Sequence, residues 1–313
     1  MLLLLLLCGC ELLNGLMDAW EASGVRNPYR GTDTVRLTLR CQGDARAVLD
    51  ARLDHLGLGR EFAETPTGDL ALTVWGAAQR EALANLLVAP SDLAFMAVAE
   101  DQTPVQPRHD RIEEAALDAV PGSSPEVAFD PDAMNALLEG GEVPLPPVSG
   151  VRLEEHRDQQ VFAAPLGADW SAWLGGLPLL PGTLTALECF SPGDERLCTP
   201  VILEGPAAVT AVDVVGTSLE IDPTHGDPFL ELTFGAAGAE ALGLLTSGLV
   251  GRELGVVAEG QLLSRPRVME PITVGKARIT VGQGPNDEDL PWLWRIDATV
   301  ASGPLPGPCS IAD

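Results

Sequence analysis

Apolar and polar residues alternate from Thr34 to Arg40 (TVRLTLR), the period-two pattern of a strand with one buried face. The period changes over Asp44 to Leu56, where Val48, Leu49, Leu53 and Leu56 recur at helical spacing. Asp44 stands where an N-cap is needed and Gly57 where the helix should stop. Arg60 to Glu64 and Leu70 to Trp75 read as two strands around Thr65-Pro66-Thr67-Gly68-Asp69, a hairpin signal. Ala77 to Val88 returns to helical spacing, and Asp92 to Ala99 predicts a closing strand. The order of periods is therefore βαββαβ.

That order is the ferredoxin-like split βαβ arrangement, which places both helices on one face of a four-stranded antiparallel sheet. The expected fold class is α+β, with this base over residues 34–100. The pattern then breaks. Residues 101–150 are rich in proline, glycine and acids, with short helical patterns at Arg111 to Val120 and Asp132 to Leu138, and read as a linker ending at Pro144 to Pro147 and Gly150. A second α+β subdomain is expected over 151–285. Residues 286–313 follow as a helix, Asn286 to Ser302, and a return segment.

The first ten residues are apolar throughout and end in Leu7-Cys8-Gly9-Cys10, which resembles the lipobox of bacterial lipoprotein signals. Residues 1–9 then read as a signal peptide, Cys10 as a lipidated N-terminus and 10–33 as a tether. A cleaved signal without lipidation and a short buried helix are the alternatives, since the usual basic opening is missing. Several acyl chains, at about 0.8 kcal/mol per buried methylene, would give a stable anchor. No later stretch reads as a spanning helix. Leu166 to Phe190 is broken by Asp169, Pro178 and Pro181, whereas a span needs about 20 mainly apolar residues.

Composition narrows the partners. With 46% hydrophobic residues in 313, the chain has enough apolar material for a sizeable core. Its formal charge of −26, from 45 acidic and 19 basic residues with Lys276 the sole lysine, repels phosphate backbones and excludes nucleic acid as a partner.

Setting the signal aside leaves Cys41, Cys189, Cys198 and Cys309. An even number in an exported chain favours disulfides, and four cysteines allow three connectivities. Cys189 and Cys198 flank Ser191-Pro192-Gly193-Asp194, a turn signal, so a bridge across that hairpin is the first choice and Cys41 pairs with Cys309 by elimination. A metal site is the rival reading, but the paired C-x-x-C spacing of zinc sites is missing.

Signals for catalysis are weak. His55, His109, His156 and His225 stand apart, and no G-x-S-x-G elbow or phosphate-cradling glycine loop occurs. Asp287-Glu288-Asp289 is a calcium candidate, better read as the acidic first turn of a helix capped by Asn286. The expectation is a protein that is not an enzyme, with no cofactor and no metal.

The stretch from Phe229 to Gly284 carries more information. Leu230 to Phe234 is an apolar strand that runs through a small-residue turn into a helix over Gly238 to Leu245. Val250 to Gly260 reads VGRELGVVAEG, Leu262 to Ile272 reads LLSRPRVMEPI, and Val274 to Gly282 reads VGKARITVG. In order and spacing this resembles the head subdomain of the large periplasmic domain of SecD, an accessory subunit of the bacterial Sec export machinery. There the corresponding segments run VGRRLAIVLDG, VISAPVIREPI and GGRAQITG. Leu49 to Leu58, Gly68 to Gly76 and Asp92 to Val98 are similar, more faintly, to the base of that domain, and Ala301 to Pro308 (ASGPLPGP) to the segment that leads into a membrane helix in the family.

The resemblance implies a periplasm-facing protein of the bacterial envelope that contacts unfolded or extended polypeptide. It would act passively here, because nothing in these 313 residues reads as the family's membrane-embedded motor. The candidate polypeptide-binding residues are Leu244, Leu245, Leu249, Leu262 and Leu263, drawn from an apolar set that equally suits the core of the head. The alternative is a SecD-derived lipoprotein that serves as an envelope scaffold and binds another envelope protein.

Overall fold

The structure is a computed structural model that describes residues 27–100, 102, 151–156, 159–165, 170, 174, 181–190, 195–280 and 289–312. Contacts divide the chain into two compact units. One takes in residues 1–94, 209–247 and 270–313, the other 95–208 and 248–269. The first mixes strands and helices and the second is built on strands, so the α+β class holds for the chain.

In the first unit, strand β1 (Arg30–Cys41) turns Val35, Leu37 and Leu39 inward, as its alternation predicts. Helix α1 (Arg46–His55) buries Leu49 and Leu53 on the same stripe as a fully buried arginine, Arg52. Strands β2 (Gly59–Glu64) and β3 (Leu70–Ala77) pair across the Thr65–Asp69 turn. Thr65 N–H donates to the Asp69 carbonyl there, and Gly68 sits at φ +81°, where a Cβ would be strained. Helix α2 (Arg80–Val88) buries Leu83, Leu86 and Leu87.

The fourth strand corrects the sequence reading. Strand β4 (Ala94–Val98) was expected to close this sheet, yet the sheet runs β14-β1-β3-β2, and the place beside β1 belongs to β14 (Cys309–Ala312). Burial explains the exchange. Phe95, Met96, Ala97 and Val98 are all buried, as in a strand covered on both faces, whereas β14 is half-buried with Ser310 exposed and suits an edge. Cys41 lies directly opposite Cys309, and the two are joined by a disulfide.

A second sheet in this unit runs β13-β10-β9, formed by β9 (Val214–Ile221), β10 (Pro228–Phe234) and β13 (Lys276–Thr280), all antiparallel. Helix α3 (Ala236–Gly248) follows β10. Its Gly238 is required, because a Cβ there would stand 2.6 Å from the Asp213 Cβ. Helix α4 (Asp289–Ser302) packs on β9 and β10 and also on α1. Covered from both sides, it buries Leu293, Trp294, Ile296, Ala298 and Val300, with Asp297 and Thr299 among them.

Arg52 ties these layers together. Its Nη1 lies 3.0, 2.9 and 2.8 Å from the carbonyl oxygens of Leu86, Leu87 and Ala89, and its Nε donates to Ser302 Oγ at 3.1 Å. The last carbonyls of a helix have no partner within it, so a buried guanidinium at the end of α2 supplies both hydrogen bonds and favourable charge.

The second unit is built on a seven-stranded sheet in the order β4-β11-β12-β7-β8-β6-β5, with β4 also pairing with β8. Its further strands are β5 (Arg152–His156), β6 (Gln159–Pro165), β7 (Thr183–Phe190), β8 (Glu195–Thr210), β11 (Leu254–Ala258) and β12 (Gln261–Ser264). Phe162, Ala164, Trp170, Leu187, Cys198 and Ile202 form a core cluster, and Cys189 packs against it. Cys189 and Cys198 face each other across β7 and β8 and form the second disulfide.

Candidate functional site

The five candidate leucines divide by burial and by unit. Leu244 and Leu245 lie on α3 in the first unit, while Leu249, Leu262 and Leu263 lie in the second. Leu244 is 70% exposed and Leu245 half-buried. Leu249 and Leu262 are buried core residues, and Leu263 is half-buried. Helical geometry explains Leu244, because α3 turns Leu242 and Thr246 inward one turn apart and Leu244 falls between them on the opposite side.

Sequence reasoning missed other exposed apolar side chains. Val212, Val215 and Val274 are exposed in the first unit, and Leu184, Val250 and Met269 in the second. Val212 sits in a single turn of 3-10 helix and Val274 in the segment before β13, where no periodicity marks a surface. Val215 is the residue passed over where the β9–β10 register shifts, a bulge that only the paired strand reveals.

On the three-stranded sheet of the first unit charge is arranged in pairs. Glu231 on β10 meets Lys276 at 2.5 Å and Arg278 at 3.2 Å, both on β13. The Lys276 hydrogen bond, reinforced by Arg278, holds the Glu231 carboxyl below the usual range. Arg278 also lies 4.6 Å over the Phe229 ring. In the second unit Arg252 bridges Glu100 and Glu204, and Arg265 bridges Glu188 and Glu253.

The two histidines with described side chains, His55 and His225, do not converge. His225 contacts Asp222 in an exposed turn at 3.2 Å, whereas His55 meets the fully buried Asp297 at 2.7 Å. Among the described residues no group of three or more His, Cys, Asp or Glu is placed to hold a metal ion. No helix among them is long and apolar enough to cross a membrane. Cys10, the linker over 101–150 apart from Gln102, His109 and the Asp287-Glu288 part of the calcium candidate lie outside the described residues.

Comparison with known proteins bears out the resemblance read from the motifs. Residues 189–289 match the family model for the SecDF P1 head subdomain, and Phe229 to Gly284 falls inside that range. The protein translocase subunit SecD of Acidaminococcus fermentans is 33% identical over 104 residues, which are 33% of this chain and 24% of that protein. The SecD subunit of Elusimicrobium minutum is 31% identical over 111 residues, 36% of this chain and 22% of that one. The matched part thus spans about a quarter or less of these relatives. A solved structure described as that of "a membrane component SecDF that enhances protein export" superposes at a TM-score of 0.48 with 18% identity, covering 89% of this chain and 98% of the other.

Proposed function

We propose that this chain is a non-catalytic, lipid-anchored and periplasm-facing protein of the bacterial cell envelope. Its head segment binds extended or unfolded polypeptide, in protein export or in a chaperone-like role. The match of residues 189–289 to the SecDF P1 head subdomain carries this reading. Relatives that match about a third of this chain are subunits of a protein translocase, which makes polypeptide the natural partner class. An apolar side chain such as Leu244, 70% exposed on α3, is the kind of contact an extended chain uses alongside backbone pairing.

The test compares two substitutions in the full chain, with binding of a fluorescently labelled, permanently unfolded polypeptide read by anisotropy. Leu244→Asp should leave the fold intact and weaken binding at least tenfold. Leu249→Asp should unfold its surroundings, because it buries an unpaired charge. Absence of binding by the unaltered chain, or unchanged binding by a folded Leu244→Asp variant, would remove the support for this reading.

A further inference from the structure

Asp297 lies in the middle of α4 and is fully buried. Its Oδ2 meets His55 Nε2 at 2.7 Å, and its Oδ1 accepts no hydrogen bond among the described residues. A buried carboxylate of this kind depends heavily on its counter-ion, since an uncompensated charge in the interior is strongly destabilising. His55 is the last residue of α1, so the pair joins two helices whose sequence positions are 242 apart.

Several charged groups on the elements that meet here have other partners. On α1, Asp50 and Asp54 are held by Arg60 of β2, and Arg52 by the α2 carbonyls and Ser302. From β1, Arg30 donates to the Leu56 and Gly57 carbonyls just beyond α1. On α4 itself, Arg295 lies over the Trp292 ring. Among the described residues, His55 is the titratable group in direct contact with Asp297.

We infer that His55 and Asp297 form a protonation-dependent clasp that holds α4 against α1 and slackens as the imidazole loses its proton. Burial by itself lowers the affinity of His55 for a proton, but the hydrogen bond and charge of Asp297 outweigh it, and the pKa ends above its ordinary value. The sign follows. A raised folded-state pKa means the clasp is fully made below about pH 6.5 and is lost as pH rises through the folded value. Slackening also reaches the sheet, because α4 packs on β9 and β10, which bury Leu219, Leu230 and Leu232. The result is a strap over an apolar layer that loosens toward alkaline pH.

Hydrogen exchange of the full chain between pH 5.5 and 9, followed by mass spectrometry and corrected for intrinsic rates, tests the clasp. Peptides from α4 are compared with peptides from α2 in the same unit. In the unaltered chain α4 should lose protection relative to α2 as pH rises, tenfold for each unit by which the folded pKa of His55 exceeds the unfolded one. His55→Gln and Asp297→Asn should each flatten that relative pH dependence. Asp297→Asn removes the buried charge itself, so it still decides the matter if His55→Gln fails to fold. Parallel behaviour of α4 and α2 in the unaltered chain, or a pH dependence that survives in Asp297→Asn, would overturn the clasp.

Discussion

The two disulfides close loops of very different length, and their removal should cost correspondingly different amounts of stability. Cys41 and Cys309 are separated by 268 residues in sequence, Cys189 and Cys198 by 9. Restricting the unfolded chain to these closed loops is worth about 5.6 kcal/mol for the first and about 2.6 kcal/mol for the second, by the chain-entropy relation at 25 °C. The ordering is robust to partial unfolding. If the second unit stays folded while the first opens, the free part of the long loop is about halved, which lowers its contribution by only about 0.6 kcal/mol. The comparison uses two double variants, Cys41→Ala with Cys309→Ala and Cys189→Ala with Cys198→Ala, so that no hydroxyl enters a buried site. Urea unfolding followed by circular dichroism, without reductant, gives the loss in each. The long-range pair should cost roughly twice as much as the hairpin pair. Equal losses, or a larger loss from the hairpin pair, would refute the entropic reasoning and point to native packing around Cys198 as the dominant contribution. Free thiols at the four positions in exported protein, found by non-reducing peptide mapping, would refute the pairing itself.

Two further outcomes are expected. Arg52→Met keeps most of the buried volume but leaves the carbonyls of Leu86, Leu87 and Ala89 without their donor, and should cost about 2 to 4 kcal/mol, read from the urea midpoint; a change below about 0.5 kcal/mol would show that α2 ends well without it. Cys10→Ser should remove acylation and move the protein from the membrane to the soluble envelope fraction, and a variant that stays membrane-bound after a salt wash would contradict the anchor.

Local periodicity was enough to find the elements of the first unit's larger sheet but not to assign its fourth strand. The Thr34 to Arg40 alternation, the α1 stripe and the Thr65–Asp69 hairpin each depend on neighbours within a dozen residues, and all appear where the pattern puts them. The fourth strand depends on a partner at the far end of the chain. Ala94 to Val98 reads as a strand and Cys309 to Ala312 only as part of a return segment, and which of them pairs with β1 depends on whether one face or two will be covered, a property of the folded neighbourhood. The unbroken apolar run of Phe95 to Val98 was the available hint, because a strand destined for an edge usually keeps polar residues on its open face. The leucines show the same limit from the other side. Leu242 and Thr246 are one turn apart on α3, so phase alone could have placed Leu244 outside, but composition grouped it with Leu249 and Leu262, which the structure buries.

The features that sequence left hidden share one physical origin. Arg52, His55 and Asp297 are polar residues whose roles are set by partners far away in the chain, and they join α1 to α4. The first unit therefore cannot be completed by residues 27–94 alone. Its α1 needs α4 to cover the Arg52 and His55 side, and β1 needs β14 along Thr38 to Cys41. Non-local closure of this kind carries its entropic cost before the contacts that offset it are made. That is where the long disulfide and the buried ion pair have the most effect, since both act at the junction that forms between the earliest and the latest parts of the chain.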